Sequence, residues 1–96
     1  MIFFKLNDLT LPNLSSVNFS DNSIFDLTPL TSFPSLTRID VKNNRIEDIL
    51  PLNQMFSLDC IILRHNPVKN IHELQLPKLS HLYIDGVETE DWSFLQ

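Results

Sequence analysis

Four stretches of this 96-residue chain repeat one apolar pattern, with Leu14, Leu36, Leu58 and Leu79 standing 22, 22 and 21 residues apart. The central copy places apolar residues at Leu36, Ile39, Val41, Ile46, Ile49 and Leu52, with Asn44 in the middle. The copy before it has Leu14, Val17, Phe19, Asn22, Ile24, Leu27 and Leu30 in the same places. The copy after has Leu58, Ile61, Leu63, Asn66, Val68, Ile71 and Leu74. The fourth, Leu79, Leu82 and Ile84, ends on Val87 where an asparagine would stand. A period of this length excludes an ordinary two-layer globule. One unit cannot bury its own apolar face, so successive units must stack into a solenoid that shares a continuous core.

Within each unit, alternation predicts a short strand. Val17/Phe19, Ile39/Val41, Ile61/Leu63 and Leu82/Ile84 point inward, and Ser16/Asn18/Ser20, Arg38/Asp40/Lys42, Cys60/Ile62/Arg64 and His81/Tyr83/Asp85 point outward. The return path reads differently. Ile24-Leu27-Leu30-Phe33 and Ile46-Ile49-Leu52-Met55 recur every three residues, a spacing that suits 3₁₀ turns or extended chain better than α-helix. Pro29 and Pro51 fit the first turn, where a missing N–H matters least. The expected organisation is one domain over residues 1–96, with a half repeat at 1–13 and full repeats at 14–35, 36–57 and 58–78. A last repeat and cap follow at 79–96. In that scheme Ile2, Phe3 and Phe4 cover the first coil, and Trp92 and Phe94 close the last.

Composition narrows the function classes. A net charge of −5 argues against general binding to nucleic acid or anionic membrane. No run approaches the roughly 18 apolar residues of a membrane span. Lys5, Asn7 and Asp8 interrupt the apolar start before an export-signal core can form, so the Asn13 and Asn18 sequons read as accidents of an Asn- and Ser-rich repeat. The lone Cys60 has no intramolecular partner, so no oxidising compartment is required. A cytoplasmic location is expected.

The repeats resemble the 22-residue leucine-rich repeats of internalin-like bacterial proteins and of the phosphatase-regulator type. The runs Asp26–Leu30 and Glu47–Leu52 carry the likeness most closely. The resemblance implies an α/β leucine-rich-repeat solenoid: a four-stranded parallel sheet on the concave face, and short 3₁₀ or extended segments on the convex face. It also implies binding through the concave strands. It names no partner, because such a scaffold is shared by unrelated functions.

Three sets of residues invite a functional reading. Asn22, Asn44 and Asn66 are polar and periodic, but an amide there can satisfy backbone groups where each strand turns away. They read as a structural ladder. On that reading Asn44→Ala costs about 1–3 kcal/mol, and Asn66→Ala less, because Val87 follows it. Cys60 and His81 share an outward column, and such a pair can activate a thiolate or contribute to a zinc site with His65. No orienting carboxylate accompanies them, so the pair reads as ordinary surface. The third set is an apolar–aromatic pair, Ile62 and Tyr83, flanked by Asp40 and Asp85 and by the cations Arg38, Lys42 and Arg64, with His81 beside them. An apolar centre with a charged rim resembles a protein-interface hot spot.

The chain is therefore expected to be a non-catalytic protein-binding module, a small adaptor, inhibitor or immunity-type protein whose partner carries an acidic patch. It would act as a monomer or weak homodimer, without cofactor, metal, nucleic acid or membrane. The alternatives are a structural element assembling through its first coil, and a thiol enzyme using Cys60 and His81.

Overall fold

The computed structural model describes residues 14–87. The expected first half repeat, its cover by Ile2–Phe4, and the Trp92/Phe94 cap lie outside the described residues. Four strands, β1 (Ser16–Asn18), β2 (Arg38–Asp40), β3 (Cys60–Ile62) and β4 (His81–Tyr83), form one parallel sheet in chain order. The register follows the repeat: Val17 pairs with Ile39, Ile39 with Ile61 and Ile61 with Leu82. Each strand is only three residues long, yet parallel bonding extends beyond it at both ends. Thr37 N donates to Ser15 O at 2.8 Å, and Asp21 N donates to Lys42 O at 3.0 Å.

The return paths are 3₁₀ turns, one of the two forms that the three-residue spacing suits. They run Thr28–Ser32, Leu50–Gln54 and Ile71–Glu73, with Pro29 and Pro51 in the first turn of the first two. Asp26 and Asp48 start these turns, their carboxylates accepting from Thr28 N and Leu50 N at 2.9 Å each. An Asx side chain two residues before a free N–H can start a turn in this way, a role that the apolar repeat does not reveal. The third return is shorter, which absorbs the 21-residue spacing without disturbing the β3–β4 register.

Leu36, Ile39, Val41, Ile46, Ile49, Leu52, Leu58, Ile61, Leu63, Val68 and Ile71 are all fully buried, in columns one coil apart. Each such side chain contributes about 1.5–3 kcal/mol through burial. Neighbouring coils therefore hold each other.

Where each strand turns toward the convex side, one residue takes a left-handed conformation: Asp21 (φ 62°), Asn43 (57°), His65 (59°) and Gly86 (77°). Asn, Asp and His all tolerate this region better than most side chains. Glycine recurs only at Gly86, where the His65 imidazole lies so close that a Cβ would fall 2.3 Å from Nδ1. His65 is thus a turn residue packed along the axis, and not a third ligand for Cys60 and His81.

Directly after this turn stands the asparagine ladder. The Asn44 Nδ2 donates to Phe19 O and Val41 O, both at 2.9 Å, and to Lys42 O at 3.1 Å, while its Oδ1 accepts from Ile24 N at 2.9 Å. Asn66 repeats the set on Val41 O, Leu63 O, Arg64 O and Ile46 N, at 2.9, 3.1, 3.3 and 3.1 Å. Both are buried, and no buried side-chain nitrogen or oxygen among the described residues lacks a partner. A second inter-coil link runs along the convex side. Asn70 accepts from Ile49 N at 3.0 Å and donates to the Asp48 carboxylate at 2.8 Å, and Asn53 bridges Glu73 O and Gln75 N.

The geometry corrects the expectation for Asn66. Ladder bonds reach to the preceding coil, so Val87 takes nothing from Asn66, which is if anything the more buried of the two. Asn44→Ala and Asn66→Ala should each lower stability by about 1–3 kcal/mol and to a similar extent. Chemical denaturation of the two variants beside wild type checks this, and an unchanged midpoint for either would refute the ladder's role.

The Asn70 amide, and secondarily the Leu50 N–H, hold the Asp48 carboxyl below its ordinary value of 3.8 against a small opposing effect of burial. A depressed folded-state pKa means the stabilisation is complete above the unfolded value and is lost as pH falls through the folded one. Wild type should thus lose more stability than Asp48→Asn on acidification below about pH 4. Parallel acid titrations by circular dichroism with identical slopes for the two proteins would contradict the linkage.

Candidate functional site

Strand alternation sends every second side chain out of the concave sheet, and the register fixes which ones become neighbours. One outward column holds Ser16, Arg38, Cys60 and His81, and the middle one Asn18, Asp40, Ile62 and Tyr83. A third, just past the strands, holds Lys42, Arg64 and Asp85, joined through Asn43 N to Arg64 O and His65 N to Asp85 O.

The most organised group lies at β3 and β4. The Arg64 guanidinium carbon sits 4.7 Å from the Tyr83 ring centroid, and Arg64 Nε donates to Asp85 Oδ1 at 2.7 Å. Tyr83 and Arg64 occupy adjacent columns of adjacent coils, so the stack is a diagonal cross-strand pair. The ion pair is open to solvent, with 40% and 66% of the two side chains exposed. An exposed pair contributes roughly 0–1 kcal/mol, and an exposed cation–π contact about 0.5–1 kcal/mol. Together they fix the arginine's position more than they stabilise the fold.

Two of the expected interface residues behave otherwise. Ile62 lies between Asp40 and Tyr83 in the middle column and is only 8% exposed, so it is not an open apolar centre. Asp40 is 5% exposed, and its carboxylate turns back to accept from Lys42 N at 3.2 Å. Asn18 makes the same turn one coil earlier, accepting from Ser20 N at 3.0 Å. The rim role expected for Asp40 is replaced by a strand-end cap, a use available to any Asx side chain two residues before a free N–H. Of the expected set, Arg38, His81, Tyr83 and Asp85 are exposed, and Lys42 and Arg64 are half-buried. Arg38 and Lys42 have no ion-pair partner among the described residues.

Cys60 and His81 are register partners, but no hydrogen bond joins them. His81 Nδ1 instead lies 3.0 Å from Ser80 Oγ, and Cys60 is half-buried. Among the described residues no group of three or more His, Cys, Asp or Glu side chains could hold a metal ion. No helix among them is long and apolar enough to cross a membrane.

The same arrangement of stacked strands and short returns occurs in two solved structures from Listeria monocytogenes. Internalin C2 superposes with a TM-score of 0.80 at 26% identity, over 88% of this chain and 38% of its own. The internalin inlF does so with a TM-score of 0.79 at 28% identity, over 88% of this chain and 25% of its own. The chain is an internalin-like leucine-rich-repeat solenoid. It spans well under half the length of either internalin. No protein-family model matches the sequence, and no curated protein does. The likeness supports a protein-interaction module in general terms.

The different settings of Ile62 and Tyr83 have a measurable consequence. Ile62→Ala should lower stability by about 2 kcal/mol, because it empties a buried site. Tyr83→Ala should stay within about 1 kcal/mol, as a surface change does. Thermal unfolding compares them directly; equal losses would mean the two side chains are equally buried.

Proposed function

We propose that this solenoid is a stoichiometric protein-binding module that engages its partner through the concave sheet, as a small adaptor or as an inhibitor of a target such as an enzyme or toxin. The observation that carries the reading is the Arg64–Tyr83–Asp85 cluster: a large aromatic and a cation held in fixed, solvent-accessible positions on the sheet. Tyr and Arg dominate interface hot spots because they present large contact area and several donors, and a side chain already held in place loses little entropy on binding. Arg38 and Lys42 extend a positive face toward β1, which favours a partner with an acidic patch. His81 borders the same face. A lone half-buried cysteine leaves the fold independent of oxidation, in keeping with a cytoplasmic setting.

The test is affinity and rate for the protein that co-purifies with the chain. Tyr83→Ala should cost about 2 kcal/mol or more in binding. Arg38→Glu with Lys42→Glu should chiefly slow association and weaken its salt dependence. Lys69→Glu, on the convex side beside Glu47, should change neither. Undiminished affinity in a folded Arg38→Glu/Tyr83→Ala variant would move the interface off the sheet.

A further inference from the structure

The state of Arg64 says more about the partner than its charge alone. A guanidinium carries five N–H donors in a planar fork. Here Asp85 takes the Nε donor, and the Tyr83 ring covers one face. Among the described residues nothing pairs with the terminal Nη1 and Nη2 groups. Those two nitrogens are the end of the fork suited to bidentate capture of a carboxylate. The clamp from Tyr83 and Asp85 restricts the rotamers that an arginine normally loses on binding, so the fork is partly preorganised.

Lys42 stands one coil upstream in the same column, and its ammonium has no ion-pair partner among the described residues. The acid beside it, Asp40, is nearly buried and accepts from backbone. Accessible unpaired charge on this face is therefore positive, on a chain whose net charge is −5. Neighbouring strands are about 4.8 Å apart, and alternate side chains of an extended peptide about 6.5 Å apart. Two long cationic side chains span that difference.

We propose that the concave face recognises an extended protein segment bearing two carboxylates in an acidic-x-acidic arrangement, one gripped by the Nη pair of Arg64 and the other by Lys42. The proposal rests on the concave-face reading and specifies the partner's chemistry at that face. A protein carboxylate fits better than a nucleic-acid backbone. A polyphosphate would meet only a few cations here, against the repulsion of an acidic chain.

The probe is an acetylated, amidated heptapeptide of Ser and Thr with Glu at its third and fifth positions, titrated into the isotope-labelled full chain by NMR. Its counterparts carry Gln, or phosphoserine, at the same two places. The Glu peptide should shift the Arg64 Nε–H signal and the backbone signals of Lys42 and Tyr83, and the Gln peptide should not. Arg64→Lys keeps the charge but loses the fork and should weaken binding about tenfold, the loss of roughly one charge-assisted hydrogen bond. Arg45→Lys, off the sheet, should leave it unchanged. Equal response to Glu and Gln peptides would keep the concave reading and overturn the carboxylate claim. Shifts confined to the convex side would overturn both. Binding of the phosphoserine peptide alone, or no shift at about 10 mM peptide, would also overturn the carboxylate claim.

Discussion

A solenoid made of three-residue strands leaves much backbone outside regular structure, and every buried N–H and C=O there needs a partner. In this chain the need is sharpest where the sheet ends and each coil turns toward its convex side. Asn44 and Asn66 meet it by linking four backbone groups each, two of them in the coil before. The left-handed residue ahead of each asparagine aims the amide. The apolar columns supply most of the stabilisation, and the ladder satisfies the backbone groups buried where those columns meet the end of the sheet. The outward columns of the concave face inherit their alignment from it.

That alignment is what makes the face usable. Arg64 and Tyr83 meet because their strands are locked in register, and Asp85 is in place because the parallel bonding continues past β4 through His65 N. A one-residue slip between β3 and β4 would turn Tyr83 into the core and separate the pair. Recognition chemistry here is thus a property of stacking, not of any single coil.

Much of this was legible in the sequence because periodicity reports geometry directly. The strands, their register and the inward columns all follow from which residues recur at 21- or 22-residue spacing, and the three-residue spacing within a coil narrowed the returns to 3₁₀ turns or extended chain. Side-chain competition for backbone groups was less legible. Asp40 reads as a surface charge by alternation, yet its carboxylate bonds the N–H two residues on. Ile62 points outward by the same rule, but between Asp40 and Tyr83 on the neighbouring strands it keeps little exposure. Alternation gives direction, and burial depends on what stands beside a residue in the next coil. Arg64 over Tyr83 could have been anticipated as a diagonal pair between adjacent columns, whereas the engagement of Nε by Asp85 depends on rotamers that spacing does not set.

The shorter third return shows which part of a coil tolerates variation. One residue fewer between Leu58 and Leu79 is taken up within the return path, where the 3₁₀ segment is only Ile71–Glu73 and Leu74 is already extended, and the strands on either side remain in step. The stretch from strand to asparagine has no such slack, since each residue in it bonds to a fixed counterpart one coil away. Such a molecule can be lengthened by copying whole coils and trimmed along its outer arc. The sheet then works as a fixed keyboard, on which a new binding specificity needs only different outward residues.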